Sequence, residues 1–167
     1  SAEARRVGKP FWAFALATAH GSYPIPTIDH LRLQLYADLA YGAQCLQYFT
    51  YWNPGTETWN FHQAPVTQDG LRSPVYELVR EMNREIQARA DVFLGAQVTS
   101  VRHTGKDIPM GTQRLETLPP HIIQLDTHGQ GALVSCLTNK GKEYVVIQNT
   151  SVTNSLQTDI KTDGQLA

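Results

Sequence analysis

FWAFALATAHGSYPIPTIDHLRLQLYADLAYGAQCLQYFTYW, Phe11 to Trp52, carries the pattern that decides the fold. Phe11 to Ala19 is a continuous apolar run of strand length, bounded by Pro10 and by the turn-forming residues Gly21 to Pro26, and predicts a strand buried on both faces. Beyond Thr27, which fits an N-cap with Asp29 in the first turn, Leu31, Leu35 and Leu39 recur at four-residue spacing beside Tyr36, Ala40 and Ala43. This spacing predicts an amphipathic helix that Gly42 ends. Cys45 to Trp52 is aromatic and β-branched without a helical period, so it reads as a second buried strand. Strand, helix and strand in close succession make a βαβ unit, with parallel strands and a right-handed crossover.

Outward from this unit, residues 53–72 (NPGTETWNFHQAPVTQDGLR) form a loop longer than the ~2 to 6 residues usual in such connections, and long loops carry function more often than short ones. Ser73-Pro74 then opens a helix, with Ser as cap and Pro preset at the first position; Val75, Leu78, Val79, Met82, Ile86 and Phe93 supply its apolar stripe. After Gly95 the pattern changes to short β-rich runs, AQVTSVRHTG, HIIQLDTHGQ, GALVSCLTNKG, KEYVVIQNTS and NSLQTDIKTDG, as expected of an antiparallel sheet or sandwich. The boundary is placed at Asp91 to Gly95. The opening SAEARRVG, Ser1 to Gly8, lacks Met and reads as the end of a helix, so the chain is read as a piece of something larger.

The 167 residues are 41% hydrophobic, enough for a real core. A formal net charge of −1, with scattered basic residues, leaves no electrostatic footprint for nucleic acid or an anionic membrane. No apolar run approaches the ~20 residues of a membrane span. Cys45 and Cys136 lie in apolar strand-like runs and read as buried thiols in preference to a disulfide. Two βα units cannot bury the faces of their own strands, and each large apolar side chain contributes roughly 1.5 to 3 kcal/mol when buried. Missing partners are therefore expected: an upstream portion of the polypeptide or another subunit.

The runs KPFWAF, YPIPT, LRLQLYADLAYGAQCLQYFTYWNP, APVTQDGLRSPVYELVREMNREIQ and VFLGAQVTSVRHTG resemble the C-terminal portion of bacterial (β/α)8-barrel glycoside hydrolases of the β-galactosidase-like group, including uncharacterised gut-bacterial members with a β-sandwich after the barrel. LAYGAQCLQYFTYW is the most specific of these elements. The resemblance implies a fold class of α/β plus all-β: residues 1–94 as the last two βα units of a TIM barrel, with Phe11 to Ala19 as strand seven, Cys45 to Trp52 as strand eight and Ser73 to Phe93 as the closing helix, followed by an antiparallel β-sandwich-like domain in residues 95–167. It implies a β-linked sugar as partner, possibly a galactoside, no cofactor, and an extracellular or periplasmic location.

Glycosidic cleavage uses two carboxyl groups, one protonated to expel the leaving oxygen and one to attack or to activate water. The resemblance places the nucleophile at the end of strand seven, yet Lys9 to Thr27 contains neither Asp nor Glu. A glycoside hydrolase and a carbohydrate-binding or scaffolding protein without catalysis therefore both remain open. Barrel sites gather at the C-terminal ends of strands, which selects His20 to Tyr23 and Tyr51 to Gln63. Glu57 reads as a displaced acid, a hydroxyl-binding group or a solvated loop carboxylate. Trp52 suits stacking on a pyranose face or plain packing; Trp59 and His62 flank it in the loop, and His20 either meets a sugar hydroxyl or is satisfied by its own loop. Trp12, at the start of its strand, reads as core, as do Tyr36, Tyr41, Tyr48 and Tyr51. His30, His103, His121 and His128 show no ligand spacing, and neither HExxH nor CxxC occurs, so no metal is expected.

Overall fold

A computed structural model describes residues 2–164; Ser1, the first residue of the opening stretch, and residues 165–167, the end of the second region, lie outside the described residues. The helix α1 (Ala2–Arg6) leads into β1 (Trp12–Leu16), α2 (Ile28–Ala40) and β2 (Cys45–Phe49). β1 and β2 are parallel, in the register Trp12 with Cys45 through Leu16 with Phe49. Thr27 caps α2 through its side chain, which accepts from His30 N, and the His30 side chain accepts in turn from Thr27 N. The two orphan donors of the first turn are thus satisfied reciprocally. At the other end Gly42 sits at φ 93°, where a Cβ would lie 2.8 Å from Val98 Cγ2.

Ser73 caps α3 (Pro74–Gln87) by accepting from Val75 N at 3.1 Å, and its hydroxyl donates to Ala64 O at 2.6 Å. The apolar stripe does not continue to Phe93 as one helix. It breaks at Ala88 and Arg89, and Phe93 belongs to the short α4 (Ala90–Phe93). The five β-rich runs each hold one strand: β3 (Gln97–His103), β4 (Ile122–Asp126), β5 (Ala132–Asn139), β6 (Lys142–Asn149) and β7 (Asp159–Thr162). β5 pairs antiparallel with β3 and β6, and β4 pairs antiparallel with β7.

This architecture corrects the fold class implied by the resemblance. Among the described residues four helices and seven strands form sheets of two, three and two strands, and no alternation of strands and helices continues around a TIM barrel. Barrel closure takes eight parallel strands; among the described residues one βαβ unit forms. Beyond α4 the short period-two runs, separated by tight turns, pair antiparallel with near neighbours and yield two small sheets where a β-sandwich-like domain is expected. The result is a small mixed α/β fold.

Two apolar clusters hold it together. In the first, Ala15 and Ala17 meet Leu31 and Leu35 of α2 and Val75, Val79 and Met82 of α3, with Leu46 and Tyr48 packed alongside. In the second, Leu39, Phe93 and Leu137 join the helices to the three-stranded sheet. Side chains of the sheet also donate to carbonyls of α2 and α4, both at the helix ends, where intrahelical partners run out, and, at Leu33, inside α2. Ser135 Oγ donates to Ala40 O at 2.7 Å, Gln148 Nε2 to Leu33 O at 2.7 Å, and Asn139 Nδ2 to Asp91 O at 2.9 Å and Leu94 O at 3.0 Å. These bonds fix where the sheet sits against α2 and α4.

β1 is not buried on both faces. Ala15 is fully enclosed, whereas Trp12 and Phe14 are 64% and 65% exposed. The pleat sends alternate residues to opposite faces, and only one face meets α2 and α3, so Trp12 belongs to the open face and not to the core. Tyr51 is likewise exposed, while Tyr36, Tyr41 and Tyr48 are half-buried as packing groups. Cys45 is half-buried, Cys136 is buried, and both are free thiols. Among the described residues no helix is long and apolar enough to cross a membrane.

Candidate functional site

The ends of β1 and β2 are joined by two threonines. Ala17 N donates to Phe49 O at 2.8 Å. One step further, the buried Thr18 hydroxyl donates to Thr50 O at 2.8 Å and accepts from Thr50 N at 3.1 Å. Thr50 Oγ1 in turn donates to Trp52 O at 2.7 Å. β2 ends at Phe49, so Trp52 stands beyond the strand in the loop, tied to the strand end through Thr50.

Residues 53–72 then fold back over the end of β1. Ala19 and His62 form an antiparallel bridge, with Ala19 N donating to His62 O at 3.1 Å and His62 N to Ala19 O at 2.9 Å. Gly21 N donates to Trp59 O at 2.8 Å. On the other side, Asn53 N donates to Val66 O and Val66 N to Tyr51 O, each at 2.9 Å. The long loop is therefore an ordered cover whose backbone is bonded at both ends. Asn60 and Gln63 take positive φ, 51° and 52°, where it turns around His62.

Backbone bonds thus bring Trp59 and His62 to the end of β1 beside His20, and Thr50 holds the Trp52 backbone beyond the end of β2. His20 stacks on Phe61 at 4.7 Å between ring centroids and meets Tyr23 at 5.0 Å and Phe49 at 5.8 Å. The two imidazoles use the same device. His20 Nδ1 lies 3.0 Å from Thr18 O, and His62 Nδ1 lies 2.7 Å from Asn60 O. A carbonyl only accepts, so each Nδ1 carries the proton and, in the neutral ring, Nε2 is left as an acceptor. Trp52 and Trp59 are 51% and 62% exposed, and Tyr23 and Tyr51 are also open to solvent.

Glu57 lies in the same loop and is exposed. It makes no hydrogen bond or ion pair with the described residues, and no second carboxylate belongs to the cluster. The two strand ends and the loop thus carry a ring group of His20, Tyr23, Phe49 and Phe61, exposed indoles and one solvated acid. Perturbed acids lie elsewhere: burial pushes the Asp38 carboxyl, on α2, up to about 6, and pushes the Tyr48 phenol, which donates to Asn83 Oδ1, up to about 12. Among the described residues no group of three or more His, Cys, Asp or Glu is placed to hold a metal ion.

Tyr23 and Phe61 fall inside the two selected stretches, whereas Phe49, Thr18 and Thr50 complete the arrangement without having been singled out by their sequence positions. Thr18 and Thr50 sit just past the ends of paired strands, a position that marks them only once the register is known. Phe61 adjoins His62 in the aromatic loop, and its contact with His20 depends on the loop folding back. No protein family, curated protein or solved structure matches this chain.

Proposed function

We propose that the chain recognises carbohydrate at the loop cluster beyond β1 and β2 and has no hydrolytic activity of its own. The observation that carries this reading is that the two strand ends and the loop folded back on them present two half-exposed indoles, Trp52 and Trp59, and two imidazoles whose Nδ1 atoms are held by backbone carbonyls. Indole faces stack on the apolar face of a pyranose, and fixed Nε2 acceptors suit its hydroxyl groups. The resemblance to β-galactosidase-like proteins makes a β-linked galactoside the sugar to try first.

A second reading, glycoside hydrolysis, draws on Glu57, an acid in the same loop without a partner among the described residues. Hydrolysis of the usual kind needs a second carboxyl group roughly 5 to 9.5 Å from the first. The cluster offers only one, which favours binding over turnover.

Tryptophan fluorescence, titrated with lactose and with longer β-galacto-oligosaccharides, tests the first reading. A saturable change is expected, with affinity reduced about tenfold in Trp52→Ala or Trp59→Ala, the equivalent of ~1.4 kcal/mol. Absence of saturation in the wild type, or unchanged affinity in both variants, removes it. Turnover of aryl β-galactosides by the wild type that disappears in Glu57→Gln would replace it with the second.

A further inference from the structure

Among the described residues β6 has one strand neighbour, β5, and its other edge is unpaired. The turn between β5 and β6 holds two residues, Lys140 and Gly141, both at positive φ, 50° and 77°, as in a type I′ hairpin closed by Asn139 and Lys142. Hydrogen-bonded and non-bonded pairs alternate away from that turn. Tyr144, Val146 and Gln148 therefore bond to β5, while Val145 and Ile147 turn their N–H and C=O groups to the open edge. Sheet edges are ordinarily blunted by a bulge, a proline or a charge. β3, at the far side of this sheet, has a bulge between Val98 and Ser100, whereas β6 pairs without interruption and carries no charge from Tyr144 to Asn149.

The edge opens into a cavity of about 640 Å³, within the size range of binding pockets. Residues 145–149 all line it. Successive side chains of a strand point to opposite faces, so five in a row reach one cavity only where the strand edge is its wall. The facing wall is helical: Arg32 and Tyr36 of α2, Glu85 and Arg89 of α3, and Val92 and Phe93 of α4. Phe93 and Val146 make one end apolar. The other end is polar. Gln148 Nε2 donates to Leu33 O, which fixes the amide orientation and leaves the buried Gln148 Oε1 without a hydrogen-bond partner among the described residues. Arg32 is shared by Asp29, Glu81 and Glu85, so acids outnumber the guanidinium there, and Arg89 is engaged with the Tyr36 ring and Glu85 O.

We propose that the slot between the β6 edge and the helices takes an extended peptide as an added strand, with an apolar side chain over Phe93 and Val146 and a lysine or arginine two positions away, directed to Gln148 Oε1 and the carboxylates around Arg32. Main-chain bonds to Val145 and Ile147 supply affinity, and the two side chains supply selectivity. A second copy of the chain fits less well. Antiparallel pairing of β6 with itself about a two-fold axis keeps both helix layers on one side of the joined sheet, so the helices of the two copies contend for the same slot.

Amide hydrogen exchange followed by NMR, with and without the capped peptide acetyl-Thr-Val-Thr-Val-Thr-Lys-Thr-amide, tests this. In the free protein Val145 and Ile147 should exchange fast and Val146 slowly. The peptide should bind saturably and, at ten times its Kd, slow Val145 and Ile147 about tenfold. Replacing its lysine with glutamate should weaken binding about tenfold. Val145→Pro removes an outward N–H without touching the ladder to β5 and should weaken binding by a similar factor, with β5 amides reporting that the variant is folded. Absence of saturable binding by the wild type, or equal binding of the fully N-methylated peptide, overturns the proposal. Equal affinity for the lysine and glutamate peptides overturns the assignment of the polar end. Protection of Val145 and Ile147 in the free protein also overturns the proposal and, where it is lost on dilution, assigns the edge to a second copy.

Discussion

Thr18 and Thr50 exchange two hydrogen bonds, hydroxyl to carbonyl at 2.8 Å and amide to hydroxyl at 3.1 Å, immediately beyond the last paired residues of β1 and β2. Everything in the loop cluster is attached to this pair. His20 hangs from Thr18 O, Trp52 is tied to Thr50 Oγ1, and the returning loop bridges to Ala19.

Replacing Thr18 with Val keeps the volume but leaves the half-buried Thr50 amide unpaired and removes the hydroxyl that donates to Thr50 O, at a cost of about 1 to 3 kcal/mol. Urea unfolding should show a lower midpoint with an unchanged slope. Exchange at Thr50 and His62 amides should rise more than exchange in β5. A variant as stable as the wild type would mean that the threonine pair is not what fastens the cluster.

Asp38 offers a stabilising change. Its carboxyl is pushed up to about 6 by burial and makes no hydrogen bond among the described residues. A carboxyl raised above its unfolded value favours the protonated form, so its contribution is present at low pH and lost as the pH rises through about 6. Asp38→Asn should accordingly stabilise the protein at pH 7 by about 1 kcal/mol, less than the full shift implies because the side chain keeps some contact with water. The advantage should disappear at pH 4, and an advantage independent of pH would show that ionisation is not its source.

His103 should make the fold sensitive to acid. It is buried against Tyr41, whose hydroxyl lies 2.9 Å from its Nε2, and burial lowers its pKa. The neutral ring is the one the fold accepts, so stability is present above the unfolded pKa of about 6.5 and falls as the pH drops below it. Urea midpoints at pH 7 and pH 5 in the wild type and in His103→Gln check this. The variant should lose part of the acid-induced drop, and identical drops in both would assign the sensitivity to other groups.

The open face of β1 predicts a contrast in mutational cost. Phe14→Ser, at a position 65% exposed, should change stability by less than about 0.5 kcal/mol, whereas Leu35→Ala, in the fully enclosed core, should cost about 2 to 5 kcal/mol. Comparable losses at both positions in urea unfolding would mean that the outer face of β1 is covered in solution.

Much of the local structure could be read directly from residues. The Leu31, Leu35, Leu39 spacing and the Thr27 cap define α2, Ser73-Pro74 defines the start of α3, and the turn residues separate the five later strands, because these signals act over a few neighbouring residues. Reading failed where a pattern had two outcomes. An apolar run such as Phe11 to Ala19 is consistent with a strand covered on both faces, but whether a second layer exists depends on the rest of the fold. The stripe through Phe93 looked continuous because its spacing survives the break at Ala88 and Arg89.

The candidate site divides in the same way. Trp52, His20, Trp59, His62 and Glu57 are visible as a concentration of aromatic and polar groups after two strand-like runs. That Trp59 and His62 return to the strand end carrying His20 is set by the Ala19 to His62 bridge, a contact between residues more than forty positions apart in the chain. Sequence alone determined which segments become helix and strand, since propensity, capping and turn chemistry are local. Only the tertiary structure decided how many strands share a sheet, which face of β1 stays open and which imidazole nitrogens are left to accept, because these depend on long-range pairing that no local pattern encodes.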